Sequence, residues 1–106
     1  MPIAIISRRE TFSAAHRLWS KQLSDADNRA LFGKCANDNG HGHNYTLEVF
    51  LRGSINPVSG VVMDLTELRM IIEEHVLAKV DHRHLNLDVP EFRDLTPTTE
   101  NLAVVI

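Results

Sequence analysis

Three histidines carry the strongest chemical signal in this sequence: His16, and the pair His41 and His43 on either side of Gly42. On a β-strand, residues i and i+2 project from the same face, so both imidazoles of the pair can reach one ion. Gly42 between them is expected to let the backbone pass closely without a side chain in the way. Three neutral imidazoles with an open fourth position make the catalytic zinc arrangement, whereas structural zinc sites are closed by four protein ligands. An isolated H-x-H pair is weak evidence by itself, and a third histidine at the same place reverses the balance. Two competing readings stay open: His82 and His84 have the same spacing, and Cys35 can serve as a fourth ligand or as a reactive thiol. A cation such as Lys34 and a nearby metal both lower a thiol pKa, although most free cysteines simply pack. Asp81-His82 is unspecific as a dipeptide, and its adjacency disfavours a simple hydrogen bond within the pair. Thr98-Thr99-Glu100 equally suits the first turn of a helix, and His75 reads as an ordinary helix residue.

Two strands must position the histidines. From Ile3 to His16 the chain favours extended structure, with Phe12, Ala14 and His16 on one face. From His41 to Arg52, Tyr45, Leu47, Val49 and Leu51 point one way while Thr46, Glu48 and Arg52 point the other, with Phe50 as the exception. Antiparallel pairing of the two strands across residues 17–40 brings His16 beside His41 and His43. That long polar connection is expected to be functional rather than disordered. It is pinned by Leu18, Trp19, Leu23, Leu31 and Phe32, with a short helix over 24–32. Asn56-Pro57-Val58-Ser59-Gly60 marks a turn. Asp64 then caps a helix, with Glu67 three positions on. Leu65, Leu68, Ile72, Val76 and Lys79 follow helical spacing, widened by Met70 and Ile71, and the helix is expected to end near Val80. Thr96-Pro97 reads as the N-cap and first residue of a second helix.

The chain has 106 residues, 43% of them hydrophobic and 24% charged, which fits one folded globular domain over residues 1–106. A net charge of −3 provides no basic field for nucleic acid. No apolar run approaches the roughly 18 residues needed to cross a membrane, and the N-terminus does not read as a signal peptide. The single cysteine rules out an intrachain disulfide, which suits a cytoplasmic location. The second helix has no C-terminal cap where the sequence stops. Two strands and one complete helix also make a poor core, so the domain is expected to be C-terminally incomplete.

Five segments together resemble the 6-pyruvoyl-tetrahydropterin synthase family, and its animal branch in particular. They are Phe12-Ser13-Ala14-Ala15-His16-Arg17-Leu18, Leu31-Phe32-Gly33-Lys34-Cys35, Asn39-Gly40-His41-Gly42-His43-Asn44-Tyr45, Asp81-His82-Arg83-His84-Leu85-Asn86 and Pro97-Thr98-Thr99-Glu100-Asn101. The resemblance implies an α+β tunnelling fold, an antiparallel sheet with helices packed on one face. It also implies trimers paired into a homohexamer. Zinc, one per chain, would sit on His16, His41 and His43, with Mg2+ also associated with the reaction. Cys35 would be the general base, Asp81 and His82 its relay partners, and Thr98, Thr99 and Glu100 part of the pterin pocket. The implied reaction converts 7,8-dihydroneopterin triphosphate to 6-pyruvoyl-tetrahydropterin with loss of triphosphate, in tetrahydrobiopterin biosynthesis. The family's last strands, and a glutamate on them that anchors the pterin, are not among the matching segments. Two alternatives follow: a 6-carboxy-tetrahydropterin synthase, or a non-catalytic zinc-binding short form. The five residues between Cys35 and His41 favour the pyruvoyl type.

Overall fold

The computed structural model describes residues 2–106. Its frame is an antiparallel ribbon of two long strands, β1 (Ile3–His16) and β2 (His41–Ser54). They pair without interruption from Ile3 opposite Ser54 to His16 opposite His41. The alternation expected on β2 is present: Tyr45, Leu47, Val49 and Leu51 are half-buried, while Phe50 faces outward and is 65% exposed. A two-residue strand, β3 (Arg83–His84), joins the other edge of β1 in parallel, giving the order β2-β1-β3.

The core lies at one end of this ribbon. Phe12 and Ala14 of β1 are buried with Val80, Leu85, Val89, Phe92 and Leu102. At the far end Ile3 and Ile5 remain more than half exposed. The helices are α1 (Asp25–Phe32), α2 (Leu65–Ile72), α3 (Ala78–Val80), α4 (Leu85–Asp88) and α5 (Thr99–Val105), of which α3, α4 and α5 supply Val80, Leu85 and Leu102 to this core. The Asp64 carboxylate caps α2 by accepting from the Thr66 amide at 2.8 Å. Between α2 and α3 the helical path continues through a π turn, Glu73–Leu77. Its extra residue changes the helix phase, so Val80 is buried at 2% exposure and Lys79 is outside. The expected apolar stripe ending on Lys79 is therefore corrected, and Leu65, Met70 and Ile71 are exposed as well.

The last helix is capped by Thr98 rather than Thr96. The Thr98 hydroxyl accepts from the Asn101 amide at 3.1 Å, while the Thr96 hydroxyl donates to the Trp19 carbonyl. Pro97 precedes the helix and is fully buried.

The connection 17–40 is held by polar groups. Asn28 is fully buried. Its carbonyl accepts from the Ser20 amide at 2.7 Å, and its NH2 donates to the carbonyls of Ser20 and Ser24. Arg17 donates to the Ala36 carbonyl at 3.1 Å and to Asp38, with its guanidinium 4.1 Å above the Trp19 ring. Leu23 and Leu31, expected to pin this segment, are largely exposed. Leu18, Trp19 and Phe32, expected to act with them, are half-buried, and backbone-directed hydrogen bonds supply the rest of the anchoring.

Candidate metal centre and its surroundings

The ribbon register sets the site. Residues directly opposite each other on an antiparallel pair share a face. His16 opposite His41 and Ala14 opposite His43 therefore put three imidazoles on the core-facing side. The ring centroids are 4.5–5.1 Å apart and the rings are close to mutually perpendicular, at 80°, 86° and 90°. One nitrogen from each lies within 4.8 Å of the other two. Among the described residues no such ligand cluster includes Cys35, His82 or His84.

His16 is the buried member, at 5% exposure. Its Nδ1 lies 3.0 Å from the Pro97 carbonyl, an acceptor only, so Nδ1 carries the proton and Nε2 carries the lone pair. That Nε2 is buried without a hydrogen-bond partner. A buried imidazole nitrogen in the acceptor tautomer, unpartnered and beside two other histidines, fits a metal ligand with its outer-sphere carbonyl already in place. Burial lowers the His16 pKa below its ordinary value. The Pro97 carbonyl opposes that shift, and the neighbouring His43, His41 and His84 reinforce it. The Tyr45 hydroxyl approaches the same Nδ1 at 3.3 Å, and its ring stacks on Phe12. Burial raises the Tyr45 pKa, with Cys35 contributing.

The tight glycine is Gly40, not Gly42. A Cβ on Gly40 would sit 2.7 Å from the His16 carbonyl oxygen and 3.0 Å from His84 Nε2, and its φ is +71°. At Gly42 the nearest atom would be 3.9 Å away, an ordinary contact. The close approach falls where the loop folds over the end of β1, one residue before β2 begins.

A cleft of about 530 Å3 beside the triad is lined by His16, Leu18, Phe32, Cys35, His43, Asn44, Tyr45, Thr98, Thr99 and Glu100. Cys35 is half-buried in a 3-10 turn, Gly33–Ala36, whose backbone is tied to the segment just after β1 by the Leu18 amide donating to the Cys35 carbonyl at 2.7 Å. The chain thus brings His16, His43, the thiol and Thr98–Glu100 to one cleft, with His41 beside the other two histidines. Asp81 and His82 are not among the cleft's lining residues: His82 lines a neighbouring cavity with Ser13, Ala15 and Asp88, which shares His43 and Asn44 with this cleft.

Asp81 and His82 nevertheless form the hydrogen-bonded pair that adjacency disfavoured, with His82 Nδ1 2.9 Å from Asp81 Oδ1. The explanation is a left-handed backbone at His82, φ 59°, which curls the ring back toward its neighbour. The Ser13 amide donates to Asp81 Oδ1 at 3.0 Å, and the His82 amide donates to the Ser13 carbonyl at 2.6 Å. The Ser13 amide is the main reason the Asp81 pKa falls below its ordinary value, with His82 adding to it. Sequence reasoning missed Pro97, Gly40 and Ser13. Only Gly40 carried a usable signal, an Asn-Gly step immediately before a strand.

A three-histidine cradle at the end of an antiparallel ribbon, with a thiol in the same cleft, defines an α+β protein able to hold one metal ion. Residues 5–106 match the family model described as 6-pyruvoyl tetrahydropterin synthase, and the chain belongs to that family of lyases. It is 53% identical to the 6-pyruvoyl tetrahydrobiopterin synthase of Homo sapiens, across 97% of this chain and 71% of that relative. Identity falls to 39% with the dihydroneopterin monophosphate aldolase of Pyrococcus furiosus, which the chain also spans over 71% of its length. The solved structure of Caenorhabditis elegans 6-pyruvoyl tetrahydropterin synthase superposes with a TM-score of 0.94 at 51% identity, covering 99% of this chain and 74% of that one. Among the described residues, no helix is long and apolar enough to cross a membrane.

Proposed function

We propose that this chain carries a zinc-dependent 6-pyruvoyl-tetrahydropterin synthase site, converting 7,8-dihydroneopterin triphosphate to 6-pyruvoyl-tetrahydropterin with release of triphosphate. The observation that carries the reading is the buried, unpartnered His16 Nε2 facing His41 and His43 in the cleft that also holds Cys35. His16, His41 and His43 are the proposed ligands. Zinc bound there supplies Lewis-acid polarisation of the substrate's side-chain hydroxyls. Cys35, as thiolate, takes a proton from the substrate side chain while triphosphate leaves from the adjoining carbon. Thr98, Thr99 and Glu100 hold the pterin at the other side of the cleft. The Pro97 carbonyl keeps His16 in its ligating tautomer throughout.

Asp81 and His82 are the proposed relay for the thiol. Within one chain neither lines the cleft that holds Cys35, so this role calls for a second copy to bring its own pair to Cys35. The exposed Ile3, Ile5 and Phe50 on the ribbon support burial against other copies in a homohexamer. The higher identity to the pyruvoyl-type relative, 53% against 34% for the putative 6-carboxy-5,6,7,8-tetrahydropterin synthase of Archaeoglobus fulgidus, favours that product over the carboxy alternative.

The test combines zinc stoichiometry, triphosphate release and product mass. The expected result is one zinc per chain, with Cys35→Ala keeping the metal and losing about 100-fold or more in rate. Unchanged triphosphate release from Cys35→Ala would remove the thiol from the mechanism. A product bearing a carboxyl instead of a pyruvoyl group would reassign the reaction.

A further inference from the structure

The π turn at Glu73–Leu77 does more than join two helical pieces. The Ala78 amide reaches back five residues to the Glu73 carbonyl, so one residue more than an α-turn is accommodated here. On a regular helix, successive residues are about 100° apart, and the face that buries Leu68 and Ile72 would return at positions 75–76 and then at 79. Instead Val80 is buried, and Lys79 points out to pair with Glu91. The immediate consequence falls on the next two residues. Asp81 lands on the backbone of β1, accepting from the Ser13 amide, and His82 closes the clamp by donating to the Ser13 carbonyl. The His82 ring is then presented 83% exposed and bonded to Asp81.

We propose that the π turn is a positioning segment: its extra residue sets the helix phase that docks Asp81 on Ser13 and holds His82 outward for use by a neighbouring site. Both flanks of the turn are anchored, Leu68 and Ile72 before it and Val80 and Asp81 after it. The inserted residue is therefore the quantity that fits one anchor to the other. π turns inside helices cluster at functional positions, and this one ends four residues before the pair it orients. The catalytic consequence rests on the function proposed above; the structural claim does not.

The experiment uses the full chain with zinc and two variants. Deleting the exposed Glu74 removes the extra residue. Exchanging Lys79 and Val80 (Lys79→Val with Val80→Lys) rewards the regular phase without changing length. Amide hydrogen exchange reads the clamp, and triphosphate release reads its use. The expected outcome is loss of protection at the Ser13 and His82 amides, at least tenfold, with the β1–β2 amides and zinc stoichiometry unchanged. The rate constant kcat should fall at least tenfold with KM within threefold, matching Asp81→Asn. Retained protection at Ser13 and His82 in either folded variant would overturn the proposal. Unfolding of both variants would also overturn it, because the turn would then serve stability instead of orientation. If the wild-type chain releases no triphosphate, the proposed function fails while the exchange data still decide the role of the turn.

Discussion

Replacing Gly40 with alanine perturbs the place where the loop meets the candidate metal ligands. At φ +71° an L-residue is strained, costing about 1–2 kcal/mol. The new Cβ would also stand 2.7 Å from the His16 carbonyl oxygen and 3.0 Å from His84 Nε2. The imidazole can yield, but the carbonyl belongs to the backbone of β1 and cannot move without carrying His16 with it. Forced overpacking of this kind costs about 1–3 kcal/mol more, giving roughly 2–5 kcal/mol in all. Two other glycines separate these contributions. Gly33 has φ +56° with nothing within 4 Å of an added Cβ, so Gly33→Ala reports backbone strain alone, about 1–3 kcal/mol. Gly42 has neither a positive φ nor a close neighbour, so Gly42→Ala should lie within about 0.5 kcal/mol of the parent. Urea unfolding of the metal-free chains at constant m gives the three values, and metal competition titration gives affinity. Gly40→Ala should show the largest loss of stability and the weakest metal binding. A Gly40→Ala variant no less stable than Gly42→Ala would refute the close-approach argument.

Three further outcomes follow from the same geometry. Because burial lowers the His16 pKa below its unfolded value of 6.5, the unfolded chain binds the additional proton. Metal-free stability should therefore rise with pH between the depressed folded pKa and about 6.5, and be lost as pH falls through that window. Urea melts across pH 5 to 8 should show this slope, and His16→Phe should flatten it. Asn28→Ala leaves the Ser20 amide without its acceptor and should cost about 1–3 kcal/mol. Limited proteolysis should then cut first within residues 17–40. Thr98→Ala removes the α5 cap and should cost about 1 kcal/mol, whereas Thr98→Ser should restore it. Thr96→Ala should leave the helical signal in circular dichroism unchanged, since Thr96 does not cap.

Much of the site was legible because strand periodicity is local. Phe12, Ala14 and His16 on one strand, and His41 and His43 with Tyr45 on the other, share faces by a period of two. Antiparallel pairing then left little freedom in where the histidines met, and the strand bounds expected at Ile3, His16 and His41 are the ones observed. The helix starting after Asp64 was equally local, being announced by its own cap. What failed was phase and approach. Nothing in Glu73–Leu77 signals an extra residue in the helix, because a π turn is retained by the anchors on either side of it. The burial of Val80 in place of Lys79 was accordingly invisible. Likewise, Thr96 and Thr98 are equivalent as caps in sequence, and only the long-range bond of the Thr96 hydroxyl to the Trp19 carbonyl takes Thr96 away from that role.

The sequence by itself determined the types of the candidate ligands and the strand face each occupies, since these depend on neighbours two residues away. Tertiary structure alone decided the chemistry of the individual atoms. The Pro97 carbonyl, 81 positions from His16, selects which imidazole nitrogen is free. The Ser13 backbone, 68 positions from Asp81, fixes where that carboxylate rests. It also separated Asp81 and His82 from the cleft holding Cys35. Tautomer, burial and clamp depend on contacts between distant segments, and no local pattern of residue types encodes them.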